Sequence, residues 1–217
     1  MSIAAGDGAQ LWRHDASGGA RASATLIPGI QSLLAQAGWR LQELDAIVFG
    51  RGPGSFTGLR TACSVAQGLA FGAWVPVLAV DTLMAVAEQA RMDTGCEQVL
   101  AVLDARMDEV YSAPYTFAGD HWEPLGPARL CKPGALQCDP SWVLAGNVFA
   151  VYGERLPPAA ARVDALPTAA ALLRLAPQLL AAGQARDAAQ ALPLYIRDKV
   201  AQTTEERAAL RSASTQP

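Results

Sequence analysis

An α/β fold with parallel strands under helical cover is predicted by three features of the sequence. Apolar runs of strand length alternate with segments of helical period. Glycines fall between them at turn positions. The second half opens with two longer apolar runs joined by a polar turn. The 217 residues suffice for one large domain or two lobes, with ample chain for a buried core.

The elements follow in order. SIAAGDGAQLWRH reads as a hairpin turning at Gly6-Asp7-Gly8, and GGARAS as a loop. TLIPGIQSLLAQAG has Leu26, Ile30, Leu33 and Ala37 at helical spacing; Thr25 can cap it, Pro28 fits a first turn and Gly38 can end it. DAIVFG is a buried strand. Leu59, Ala62, Cys63, Ala66, Leu69 and Ala70 keep a helical period that Gly72 stops. PVLAVD is a strand, and Asp81 or Thr82 caps a helix through Arg91.

A second unit starts near Gln98, with QVLAVLDAR and EVYSAPYTF as paired strands. Residues 118–140 are rich in Pro and Gly and read as loop. WVLAGN is a short strand. TAAALLRLAPQLLAAG is helical, and Pro177 should kink or split it. ALPLYIRD is a last strand before a polar tail. The expected division is 1–97, 98–201 and a tail over 202–217.

Composition narrows the function. The net charge of -3 and the lack of a basic block argue against unaided binding of nucleic acid. No apolar run is long enough to span a bilayer, and MSIAAGDGAQLWRHD lacks the pattern of a signal peptide, so a cytoplasmic protein is expected. Cys63, Cys96, Cys131 and Cys138 form no CxxC pair and read as isolated thiols. His14 and His121 have no carboxylates at ligand spacing, so no metal site is expected and a zinc protease reading is set aside.

The segment GRGPGSFTGLR, Gly50 to Arg60, holds the strongest local signal. It has no lysine, which removes the P-loop, and it fails the dinucleotide spacing because Ser55 and Thr57 stand where the last glycine is required. What remains is strand, glycine turn and helix N-terminus. Gly52 and Gly54 can take positive φ, and Ser55 or Thr57 can accept from the first free amides of the helix. Two readings stay open: a structural turn and cap, or an anion or nucleotide contact through Gly52, Gly54, Ser55 and Thr57. DARMDE carries Asp104, Arg106, Asp108 and Glu109 beside a strand end; their mixed charges are expected to pair among themselves.

GRGPGSFTGLR, with TACSVAQGLAFG and VPVLAVDTL after it, resembles the bacterial TsaB (YeaZ) family, and VLDARMDEVYSAPY and LPLYIRDKVA are similar to its later segments. The resemblance implies an actin-like ATPase fold (related to RNase H) with two lobes of mixed sheets flanked by helices. It implies a non-catalytic paralogue of TsaD, acting in threonylcarbamoyl transfer to the adenosine beside the anticodon of tRNAs that read ANN codons. TsaD and the small ATPase TsaE are the implied partners, tRNA is reached through the complex, and a homodimer on the same surface is a further expectation. No resident cofactor is implied, with ATP or ADP at the boundary between partners left open. The partner surface maps onto the two helices of the first lobe: Ile30, Leu33 and Leu34 on one, Gly58, Ala62, Val65, Ala66 and Leu69 on the other. In one respect the sequence departs from the family. The strand ending Asp-Thr that opens the first lobe is absent ahead of Met1, and a truncated reading frame is the expected reason. The competing reading is a nucleotide-binding small-molecule kinase or ATPase of the same fold.

Overall fold

The computed structural model describes residues 1–16 and 22–197. The predicted loop after residue 17 and the polar tail lie outside the described residues, apart from Ala22 and Ser23.

The hairpin forms as β1 (Ser2–Gly6) and β2 (Leu11–Asp15), antiparallel, with Ile3 opposite His14. Asp7 closes the turn: its Oδ1 accepts from the amides of Ala9 at 2.9 Å and Gln10 at 2.8 Å. Helix α1 (Ala22–Ala37) begins earlier than its composition suggested. Thr25 and Pro28 therefore lie inside it and do not mark its start. Trp12 and Trp39 meet edge to face, 5.0 Å between ring centres, tying β2 to the end of α1.

Strands β3 (Ile47–Gly52) and β4 (Val77–Asp81) are parallel, joined by α2 (Phe56–Ala73). Such a crossover is what parallel pairing demands. Gly72 does not stop α2. The helix ends one residue later, and Trp74 takes the left-handed cap at φ 61°. Helix α3 (Thr82–Thr94) follows β4 directly, with Asp81 at its N-cap position and Gly95 after its last turn.

The second unit is one sheet. β5 (Gln98–Arg106) and β6 (Glu109–Ala118) form a long antiparallel pair. The region read as loop contributes two short strands to β6: β7 (His121–Pro124) and β8 (Arg129–Cys131). Their alternation is too brief to register as a period. On the other side β9 (Val143–Gly146) runs parallel to β5, and β10 (Ala161–Asp164) parallel to β9. The order is β10-β9-β5-β6-β7. A short helix α4 (Phe149–Tyr152) precedes β10, and α5 (Ala169–Ala181) follows it. Pro177 does not split α5, which continues through it as one helix.

The main core lies where α3 and α5 pack between the two units. Leu78, Val80, Leu83, Val86, Val99, Ala101 and Leu175 are its buried centre. A second cluster joins α2 to the segment after α5: Phe49, Cys63, Ala66 and Ala70 pack with Ala188 and Ala191. The segment 191–197 has no regular secondary structure, so the described part of the expected last strand is instead an irregular strap. Fold class is thus as expected, with mixed sheets flanked by helices.

Candidate partner-binding surface

The glycine turn is built as the sequence predicts in outline and differs in its use. Gly52 has φ +126°, a conformation that L side chains rarely adopt, whereas Gly54 has no positive φ. The space beside Gly52 is taken by the chain itself: a side chain there would meet the Leu194 carbonyl oxygen at 2.5 Å. The Gly52 amide donates to Thr82 Oγ1 at 3.0 Å, and the Leu194 amide donates to the Arg51 carbonyl at 2.7 Å. Ser55 sits at the N-cap of α2 but its side chain caps nothing, and Thr57 lies exposed inside the first turn. Gly52, Gly54, Ser55 and Thr57 are thus close in space, but the inner side of the turn is packed by residues 194 and 59.

Around the turn, Arg51 donates to Asp81 at 2.6 Å. Tyr195 lies against Phe56, with ring centres 5.3 Å apart, and Arg60 stacks on Phe56 at 3.9 Å. The strap therefore docks on the start of α2.

Helix α2 has two faces of different character. Leu59, Cys63, Ala66, Ala70 and Ala73 are buried against β3 and the strap. The outward face carries Thr57, Gly58, Thr61, Ser64, Val65, Gly68, Leu69 and Gly72, exposed or half-buried. Ser64, Gly68 and Gly72 recur every four residues and so lie in one row. A Cβ added at Gly68 or Gly72 would meet nothing within 4 Å. At the end of this row Phe71 and Trp74, 70% and 90% exposed, stack with ring centres 6.2 Å apart.

Of the surface expected from sequence, Gly58, Ala62, Val65 and Leu69 stand at or near the outward face, and Ile30 is half-buried. Leu33, Leu34 and Ala66 are corrected. They are 5%, 7% and 4% exposed and pack within the chain, so they offer a partner nothing. Helical period alone selects the apolar side of a helix, and that side is the one the chain buries for itself. Phe71 and Trp74 went unnoticed because they fall at the helix end, off the apolar row.

The acidic cluster is consumed in ion pairs. Asp104 meets Arg106 at 3.1 Å and accepts from the Tyr152 hydroxyl at 2.8 Å. Burial, then the Asp104 carboxylate, pushes the Tyr152 phenol up to about 12. Asp108 pairs with Arg155 at 2.6 Å, and that guanidinium holds its carboxyl below the usual range. Glu109 pairs with Arg197 at 2.7 Å. Arg155 and Arg197 come from far along the chain, which no local pattern reveals. The buried Glu88, which accepts from Trp122 Nε1 and Arg174 Nε, both at 2.9 Å, was equally invisible. Among the described residues no three His, Cys, Asp or Glu side chains converge as a metal site.

Comparison with known proteins places this geometry. The family described as "TsaD: tRNA N6-adenosine threonylcarbamoyltransferase" matches residues 18–205. The tRNA threonylcarbamoyladenosine biosynthesis protein TsaB of Escherichia coli is 34% identical, over 81% of this chain and 80% of its own. The protein of that name from Haemophilus influenzae is 35% identical, over 81% and 79%. The solved structure of YeaZ from Pseudomonas aeruginosa superposes with a TM-score of 0.83 at 39% identity, covering 89% of this chain and 93% of that one.

Proposed function

The chain belongs to the TsaB (YeaZ) family and takes part in threonylcarbamoyladenosine synthesis on tRNA, and we propose that it does so as a non-catalytic scaffold for TsaD. The observation that carries the proposal is the outward face of α2. Small residues at 64, 68 and 72 let a second helix approach closely, and Phe71 and Trp74 end the row as an aromatic anchor pair. Trp74 supports the reading most. It holds a left-handed conformation that favours glycine, and it is almost fully exposed. The first costs the fold and the second returns nothing to it, and both are accounted for if the indole inserts into a partner.

Two further observations support a partner role. The carboxylates beside β5 are engaged in structural pairs, and the glycine turn is filled by Leu194. The mildly acidic chain leaves the grip on tRNA to TsaD. TsaE completes the complex, any ATP or ADP sits at its boundary, and a homodimer uses the same face in the absence of TsaD. None of the described helices is long and apolar enough to cross a membrane, in keeping with work in the cytoplasm.

The test is Gly68→Arg. Nothing stands within 4 Å of the added Cβ, and arginine is the better helix former, so the folded chain is kept. Recovery of TsaD by co-purification should fall at least tenfold, and modification of an ANN-reading tRNA should fall with it, while the circular dichroism stays unchanged. Undiminished co-purification and modification would remove α2 from the interface.

A further inference from the structure

The connection between β5 and β6 is strained. Arg106 pairs with Glu109, which leaves Met107 and Asp108 as a two-residue loop, and the register shifts between Asp104 and Arg106. Arg106, Met107 and Asp108 have φ of 61°, 57° and 59°. None is glycine, and left-handed backbone crowds a side chain, which is why such loops favour Asn-Gly. Three neighbours in this state need something beyond the hairpin to hold them.

Arg197 is that hold. It pairs with Glu109 at 2.7 Å, donates to the carbonyls of Ala105 at 3.0 Å and Arg106 at 3.3 Å, and meets the Met107 sulfur. Its guanidinium thus grips the strained residues from both sides. The other tie, Arg155 to Asp108, is half exposed on both partners and contributes little. From Arg197 the chain leads back under α2. Its fixed point is Arg186, which exchanges both main-chain bonds with Val77 at 2.9 Å. Between these two residues the ties are single and spread out. Gln67 Nε2 donates to the Ala188 carbonyl at 3.1 Å, the Cys63 thiol to that of Ala191 at 3.2 Å, and the Leu194 amide to that of Arg51 at 2.7 Å. Leu192 and Tyr195 stand exposed. A segment pinned at its start and held by so few contacts belongs with those that open locally while the rest stays folded.

We propose that residues 187–197 are a latch that opens as one unit about Arg186. The closed latch sets the left-handed turn at 106–108, and the turn relaxes when the latch opens. The packing beneath α2 and the shape of the β5–β6 turn then change together, although they lie in different units of the chain. Strain at the turn works against closure, and the contacts of the segment work for it. This inference does not depend on what docks on α2.

The experiment measures how fast iodoacetamide labels Cys63 in the folded chain, read by peptide mass spectrometry. Arg106→Gly removes the strain of one residue. Arg106→Ala removes the same side chain, with its pair to Asp104, and keeps the strain. Both spare the main-chain carbonyl that Arg197 uses. Labelling should be at least about fivefold slower in Arg106→Gly than in Arg106→Ala, and exchange of the Leu194 amide should slow by the same factor. Low urea should leave both rates nearly unchanged, because a local opening exposes little surface. Equal labelling in the two variants would mean that the turn stays left-handed whether the latch is closed or open, and would overturn the proposal. So would a Cys63 rate that climbs steeply from the first addition of urea, the mark of global unfolding, or a Leu194 amide that does not follow Cys63.

Discussion

Three positions show how single residues are set against local preference. A Cβ on Gly146 would run into the Val102 carbonyl, because β9 approaches β5 with its backbone at φ +155°. Gly146→Ala should therefore cost roughly 2–4 kcal/mol, read as a fall in the denaturant midpoint. Trp74 shows the reverse. The left-handed state costs a non-glycine residue about 1–2 kcal/mol, so Trp74→Gly should raise the melting temperature by about 2–4 °C and weaken recovery of TsaD. A substitution that stabilises the chain while loosening its partner would mark Trp74 as kept for binding. Loss of stability in Trp74→Gly would show that the indole serves the fold. Neither Gly146 nor Trp74 was legible in sequence: one needs the neighbouring strand and the other the end of its helix. Gly52 was legible, since a glycine before proline after an apolar run announces a turn; the occupant of its space, Leu194, was not.

Among elements, α2 separates what period reveals from what it cannot. Its apolar row was read correctly as a helix stripe, but the row faces β3 and the strap. Ala66→Glu would thus place a carboxylate in a site 4% exposed among Phe49, Cys63 and Ala70. It should unfold the first unit, seen as lost helical signal, since an unpaired buried charge costs several kcal/mol. A folded Ala66→Glu with normal circular dichroism would contradict the packing. Long strands with strong apolar character, β3 to β6, were all readable. The three- and four-residue strands β7, β8 and β10 were not, because pairing with strands of the sheet, not their own pattern, makes them strands. Pro28 and Pro177 misled in a common way: each sits inside a helix that packing sustains despite the missing donor.

The whole molecule is held together by the last stretch of the described chain. Leu194 bonds to Arg51 in the first unit, and Arg197 bonds to Glu109 and to the carbonyls of Ala105 and Arg106 in the second. The Arg197 side chain is only 10% exposed. Arg197→Ala leaves those acceptors unmatched and should lower stability by about 2–4 kcal/mol, checked by denaturant unfolding. A change under half a kcal/mol would mean that the strap is not a tie. The alternation of strands and helices was enough to place the fold class. It could not show that residues 188–197 return to the glycine turn and α2, because that contact carries no periodic trace. The return also sets an order of events during synthesis. Cys63 donates to the Ala191 carbonyl at 3.2 Å, and Ala188 and Ala191 complete the packing under α2. Until the chain has grown past those alanines, the helix made more than a hundred residues earlier waits unfinished, its thiol uncovered.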